Sequence, residues 1–226
     1  MLMQPLLDAQ LGDRAVTLMA ALVLVLQIAM VAQRWIVTHI RIFAAQSFFL
    51  AAIAATIAWF NHAPHIYVAA GLTLVVKVIL VPIVFERLVE RIEIRREIEP
   101  IVNVPLSVVI SGGLTLVGYV VAESFYRPEE PGLGHNALAV AILLFLIGFF
   151  TMINRRKALP QVLALLSLEN GLFLAAISLT YGMPLIVELG VFFDVLVAAM
   201  VLGILVYRIR ESFESMDVSR LRRLRG

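Results

Sequence analysis

Three ionisable residues stand inside long apolar runs: Lys77, Glu169 and Asp194. An ionisable side chain in hydrocarbon costs several kcal/mol unless it is paired or hydrated. Glu169 lies midway along the run 158–180, roughly 17 Å from either end at the helical rise of 1.5 Å per residue. Lys77 sits at a comparable depth in the run 66–85, and Asp194 roughly 14 Å into the run 185–207. A tight turn joins the runs that carry Glu169 and Asp194, so the two helices are expected as antiparallel neighbours with their carboxylates at matched depth. Such a pair can exchange a proton directly or through water. A carboxylate withheld from water is easier to protonate, which suits a proton carrier. The plainer reading is that each carboxylate is neutral or satisfied by a neighbour such as Asn170. Lys77 has three open roles: snorkelling, pairing with a carboxylate, or acting as a proton-bearing base. Gln27 and Gln46 are deep enough to bond across helices and read as structural. Glu188 is nearer the surface, where solvation satisfies it. Pro82 predicts a kink beside Lys77.

Other chemistries lack their residues. There are no cysteines, which excludes disulfides, thiolate zinc and cysteine-ligated iron–sulfur clusters. His39, His62, His65 and His135 are read in or near loops, so no pair faces the bundle centre to ligate a haem. No phosphate-binding glycine loop or nucleophile motif is present. The last apolar run has no lysine for a retinal Schiff base. No catalytic residue, cofactor or metal is therefore expected, and no nucleic-acid partner.

The elements that must position the three charges follow from composition. Of 226 residues, 62% are hydrophobic and 15% charged, against about 45–50% and 25% in a soluble domain. Such a chain lacks the polar groups to cover a water-facing surface. Crossing the hydrocarbon takes about 20 apolar residues, and seven runs qualify: 15–32, 41–60, 66–85, 104–122, 136–153, 158–180 and 185–207. The fold class is thus all-α, a polytopic transmembrane bundle. Fifteen of the 18 basic residues fall after the first, third, fifth and seventh runs, which places that side in the cytoplasm, with the N-terminus outside. The acidic start, with Asp8 and Asp13, is not that of a cleaved secretory signal. A multi-pass protein of the cell's inner membrane is expected.

FFLAAIAATIAWF (48–60) aligns with LFLAAISLTYG (172–182), each followed by a proline, Pro64 or Pro184, and an isoleucine, Ile66 or Ile186. This internal similarity divides the chain into a three-helix unit (1–100), a linker helix with an outer loop (101–134) and a second three-helix unit with a basic tail (135–226). The linker helix carries Gly112, Gly113 and Gly118, suited to close packing. ERLVERIEIRREIEP (86–100) extends the third helix. Its short apolar stripe of Leu88, Val89 and Ile92 reads as a solvated helix end or as a docking surface for a soluble partner.

The stretch HNALAVAILLFLIGFFTMINRRKALPQVLALLSLENGLFLAAISL (135–179) resembles the K subunit of NADH–quinone oxidoreductase. That three-helix protein has a basic turn after its first helix, here NRRK (154–157), and a midplane glutamate in the second, here in SLEN at Glu169. A further buried glutamate of that family falls where this chain has Asp194, in FFDVLVAAMVLGILVYRI. With extra helices ahead of this unit, the whole chain resembles component E of hydrogenase-4 and related membrane-bound hydrogenases. In two respects the chain departs from the pattern: aspartate replaces glutamate at 194, and the first unit has Ala45 and Gln46 where Glu169 would map. The resemblance implies a non-catalytic membrane subunit of an energy-converting hydrogenase-like or respiratory oxidoreductase complex, with no redox centre of its own. Glu169 and Asp194 would relay protons, and Lys77 would tune or extend the path. Its partners would be antiporter-like and quinone- or hydrogenase-module-like membrane chains, the lipid bilayer and, indirectly, soluble redox subunits. Two other readings stay open: a subunit of a multi-subunit cation/proton antiporter, and a structural scaffold.

Overall fold

A computed structural model describes residues 3–91, 100–124 and 135–180. Their order is α1 (Met3–Ala32), α2 (Ile36–Phe60), α3 (Pro64–Thr73), a π-helical turn (Leu74–Leu80), α4 (Val81–Arg91), α5 (Val104–Glu123), α6 (His135–Ile153) and α7 (Ala158–Thr180). Among the described residues there is no strand, only one isolated bridge between Pro100 and Arg155. Five helices are long and apolar enough to cross a membrane, α3 to α4 counting as one, and α6 adds a shorter apolar helix. The expected run 185–207, with Glu188 and Asp194, lies outside the described residues.

The breaks between helices have local causes. α1 stops where the Gln33 side chain accepts from the backbone N–H of Arg34 at 3.0 Å and of Trp35 at 3.3 Å. Trp35 is extended and α2 restarts at Ile36, five residues before the apolar run suggested. That shift puts His39, expected in or near a loop, in the first turn of α2 and fully buried. At the other end of α2, His62 takes a left-handed φ of 50°, and Pro64 opens α3 with the φ a first helical turn needs. Exposed Trp35 and Trp59 stand near opposite ends of α2, roughly 36 Å apart along the axis, as interfacial anchors do.

Asn154 fastens the α6–α7 turn to the start of α5. Its backbone carbonyl accepts from Ile101 N–H at 2.8 Å, its Oδ1 from Val102 N–H at 2.7 Å, and its Nδ2 donates to Ser107 Oγ at 2.8 Å. Leu88 and Val89 of the α4 stripe are buried, and Val89 packs with Ile36, Phe43 and Phe85. These two residues therefore face the chain's own bundle rather than an outside partner. Ile92 lies outside the described residues.

The glycines correct one expectation. A Cβ at Gly112 or Gly113 would meet nothing within 4 Å, whereas one at Gly118 would press on Leu143 and meet Leu146 Cδ1 at 3.3 Å, so of the three only Gly118 is packed closely, against α6. The closest backbone approach is between α6 and α7. At Gly148 a Cβ would lie 3.0 Å from the Leu168 backbone, and at Gly171 it would lie 2.9 Å from both Ala141 O and Phe145 N. Backbone atoms cannot turn aside, so Gly171→Ala is expected to wedge the helices apart at about 1–2 kcal/mol. Gly113→Ala should be neutral or slightly stabilising. Thermal unfolding of the two purified variants in one detergent checks this, and equal Tm values would refute it.

Candidate functional site

The core has two apolar clusters with polar side chains between them. One cluster includes Val16, Val23, Leu50, Ala70 and Phe173; the other includes Met30, Phe43, Val81, Phe85 and Leu166. Each helix changes character between them. Gln27 falls between Val23 and Met30, Gln46 and Ser47 between Phe43 and Leu50, Lys77 between Ala70 and Val81, and Ser167, Glu169 and Asn170 between Leu166 and Phe173. All seven are buried.

Lys77 arrives there on the π-helical turn. A kink was expected at Pro82; the departure from α geometry instead precedes it, over Leu74–Leu80, with the Val81 N–H bonded to Val76 O. Pro82 lacks an N–H, and in a regular α-helix its ring would press on the carbonyl four residues back. The wider turn accommodates both. Lys77 does not snorkel: it is 1% exposed. Its Nζ donates to Asn170 Oδ1 at 3.0 Å and faces Glu169 Oε2 at 3.5 Å.

A directed chain of amides leads away from this pair. Asn170 Nδ2 donates to Gln46 Oε1 at 3.2 Å and to Ser47 Oγ at 3.1 Å. Gln46 Nε2 donates to Gln27 Oε1 at 2.7 Å. The Ser167 hydroxyl stands at hydrogen-bond distance from Gln27 Oε1, and 3.1 Å from Gln46 Oε1. Gln27 and Gln46 thus bond across helices as the sequence led us to expect. The alignment that pairs 48–60 with 172–182 also pairs Gln46 with Asn170, and these two side chains meet.

Two groups escaped the sequence reading. Arg155, noted there only as part of a basic turn, is 1% exposed. Its Nη2 donates to Met30 O at 3.1 Å and Val31 O at 3.0 Å, at the end of α1. Burial lowers its pKa to about 10, so it remains a cation at neutral pH. His39 is close enough to feel that charge, and neither of its ring nitrogens has a hydrogen-bond partner among the described residues. No sequence signal marks a buried arginine inside a basic turn. The Ser167–Asn170 spacing of three, by contrast, put both residues on one helical face and was available to read. Among the described residues, no group of three or more His, Cys, Asp or Glu could hold a metal.

Such an arrangement, apolar helices of spanning length with an ion pair buried at mid-depth, defines a multi-pass membrane protein. More particularly, the chain is distantly similar to hydrogenase-4 component E. It is 27% identical to that protein of Escherichia coli (strain K12) over 184 residues, covering 81% of this chain and 85% of the relative. The Shigella flexneri protein of the same name matches equally. An uncharacterized protein of Mycobacterium tuberculosis (strain ATCC 25618 / H37Rv) is 41% identical over 131 residues, 58% of this chain and 59% of that relative's length. No family model and no solved structure matches.

Proposed function

We propose that this chain is a proton-conducting membrane subunit of an energy-converting, hydrogenase-like or respiratory oxidoreductase complex, and that electron transfer takes place on its partners. The observation that carries the reading is the Lys77–Glu169 pair, buried at mid-depth between two apolar clusters and joined to five further polar side chains. Burying a charged pair costs more than burying apolar residues of similar volume, so a scaffold has no need of one. Distant kinship with a hydrogenase-4 component supports the choice of complex over a stand-alone carrier.

In this reading Glu169 accepts a proton at its carboxylate and passes it on, and the Lys77 ammonium sets how readily it does so. Asp194, in the next apolar run of the sequence, receives or supplies that proton. The basic ends of the helices, marked by Arg34, Arg41, Arg156 and Lys157, lie on the cytoplasmic side of a cell's inner membrane. Glu169→Gln keeps the shape and removes the titrating group. In the assembled complex reconstituted in vesicles, coupled proton transport should fall at least a hundredfold while the subunits still co-purify. Wild-type transport with intact assembly would end the proposal. Co-purification of antiporter subunits with no metal-bearing chain would move the chain to a cation/proton antiporter instead.

A further inference from the structure

We propose that Asn170 is a positioning residue for Lys77, a second partner that holds the ammonium in place when Glu169 is protonated. The inference rests on the proton-carrier reading above. It addresses a difficulty in that reading: when the Glu169 carboxylate takes up a proton, the buried Lys77 ammonium loses the attraction of that charge. In a medium of low dielectric a buried ammonium that loses a counter-charge is costly, so a carboxylate held in place by the lysine would keep its ionised state and carry protons poorly.

The geometry supplies the alternative. Lys77 Nζ is nearer the Asn170 carbonyl oxygen, at 3.0 Å, than the Glu169 carboxylate, at 3.5 Å. A carbonyl oxygen accepts from ammonium whatever the state of the neighbouring acid. The Asn170 amide cannot rotate freely, because its Nδ2 is engaged by Gln46 Oε1 and Ser47 Oγ. Gln46 is in turn fixed by donating to Gln27 Oε1. The donors of the two amides all point away from Lys77, so their oxygen ends face the cation and the dipoles add along the chain. The Asn170 carbonyl is therefore preset towards Lys77 by residues of α1 and α2. In the carrying step a proton from water or a neighbouring acid bonds to a Glu169 carboxylate oxygen. Lys77 keeps all three of its own protons and its bond to Asn170, and Glu169 later releases its proton to the next acceptor. No other bond is made or broken.

The test uses stability, so it does not depend on transport. Glu169→Gln stands in for the protonated acid. With Asn170 present, that variant should unfold within a few degrees of the wild-type protein in the same detergent. Asn170→Leu removes the carbonyl, and the double variant Asn170→Leu/Glu169→Gln should lose more in Tm than the two single shifts added together. Asn170→Asp, which keeps an oxygen towards Lys77, should abolish that excess when combined with Glu169→Gln. Additive shifts with Leu, or the same excess with Asp, would overturn the inference. Should the double variant fail to accumulate, transport by Asn170→Leu alone decides: a tenfold or greater loss in assembled complex upholds the inference, and wild-type transport overturns it. If Glu169→Gln transports normally, the function proposed above fails instead, and the stability cycle still reports on Asn170.

Discussion

Lys77→Met should destabilise the folded chain by about 3–5 kcal/mol, the cost typical of removing one partner from a buried ion pair. Methionine fills much the same volume, so little of the loss would come from a cavity. What disappears is the cation 3.5 Å from Glu169, together with the donor to Asn170 Oδ1. A buried carboxylate that has lost this cation is then stabilised by movement of its neighbours or neutralised by a proton. Lys77→Met/Glu169→Leu removes both charges and should recover most of the lost stability, because buried pairs are often replaceable by apolar residues of similar size. Transport should not return in the double variant. Thermal unfolding of the three proteins in one detergent reads the effect. At a few degrees per kcal/mol, the single variant should melt roughly 10 °C below wild type. A single variant that melts with the wild type would mean that Lys77 does not compensate Glu169. A double variant no better than the single would mean that the lost donor to Asn170, rather than the stranded charge, is what matters.

The legible part of this protein was its periodicity and its rarest residues. Helix positions followed from apolar run length, since each span had to hide its backbone from hydrocarbon: α5 begins and ends within a residue of expectation, α6 ends where expected and α7 begins where expected. Lys77 and Glu169 stood out because each was a charge deep in a run. What brings them together was not legible. The π-helical turn depends on how a proline-bearing helix settles against α2, and no local pattern specifies the register of a wider turn. The start of α2 was misplaced because Ile36, Val37 and Ile40 are interleaved with Thr38, His39 and Arg41, which lowered the apparent hydropathy of a segment whose polar members are partly turned inward. That one error hid His39. The two adjacent glycines of α5 attracted attention as a packing motif, yet close approach depends on which face meets a neighbour, and the faces that meet are those of Gly148 and Gly171. Membership of the polar layer was half visible: depth suggested Gln27 and Gln46, and only tertiary contact shows that Asn170 ties them to the ion pair.

Arg155→Met is the second substitution with a large expected effect, and two opposing contributions set its size. Met30 and Val31 are in the last turn of α1 (Met3–Ala32), where carbonyls have no partner within the helix. Both residues are buried, so water cannot serve them. Arg155 Nη2 donates to both carbonyls, and its charge is of the sign that a helix C-terminus favours. Removing it leaves the buried Val31 carbonyl unpaired, at about 1–3 kcal/mol, and leaves Met30 O only the Gln33 N–H at 3.4 Å. Against this, the guanidinium is itself desolvated, as its lowered pKa of about 10 shows, and its Nε and Nη1 have no hydrogen-bond partner among the described residues. Methionine relieves that burden, so the net loss should be about 2 kcal/mol, within the range the Val31 carbonyl alone would set. Arg155→Lys retains the charge but not the planar fork that spans two acceptors, and should fall between. The folded-state pKa lies below that of a free arginine, so the unfolded chain binds the extra proton only above about pH 10, and only there does stability rise with pH on this account. Between pH 5 and 8 the group is charged in both states, and the Tm gap between wild type and Arg155→Met should be constant. A gap that opens or closes across that window would mean that a second titrating group, with His39 the nearest candidate, shares the burial cost with Arg155. A gap of zero at every pH would mean that α1 does not depend on this arginine for its end.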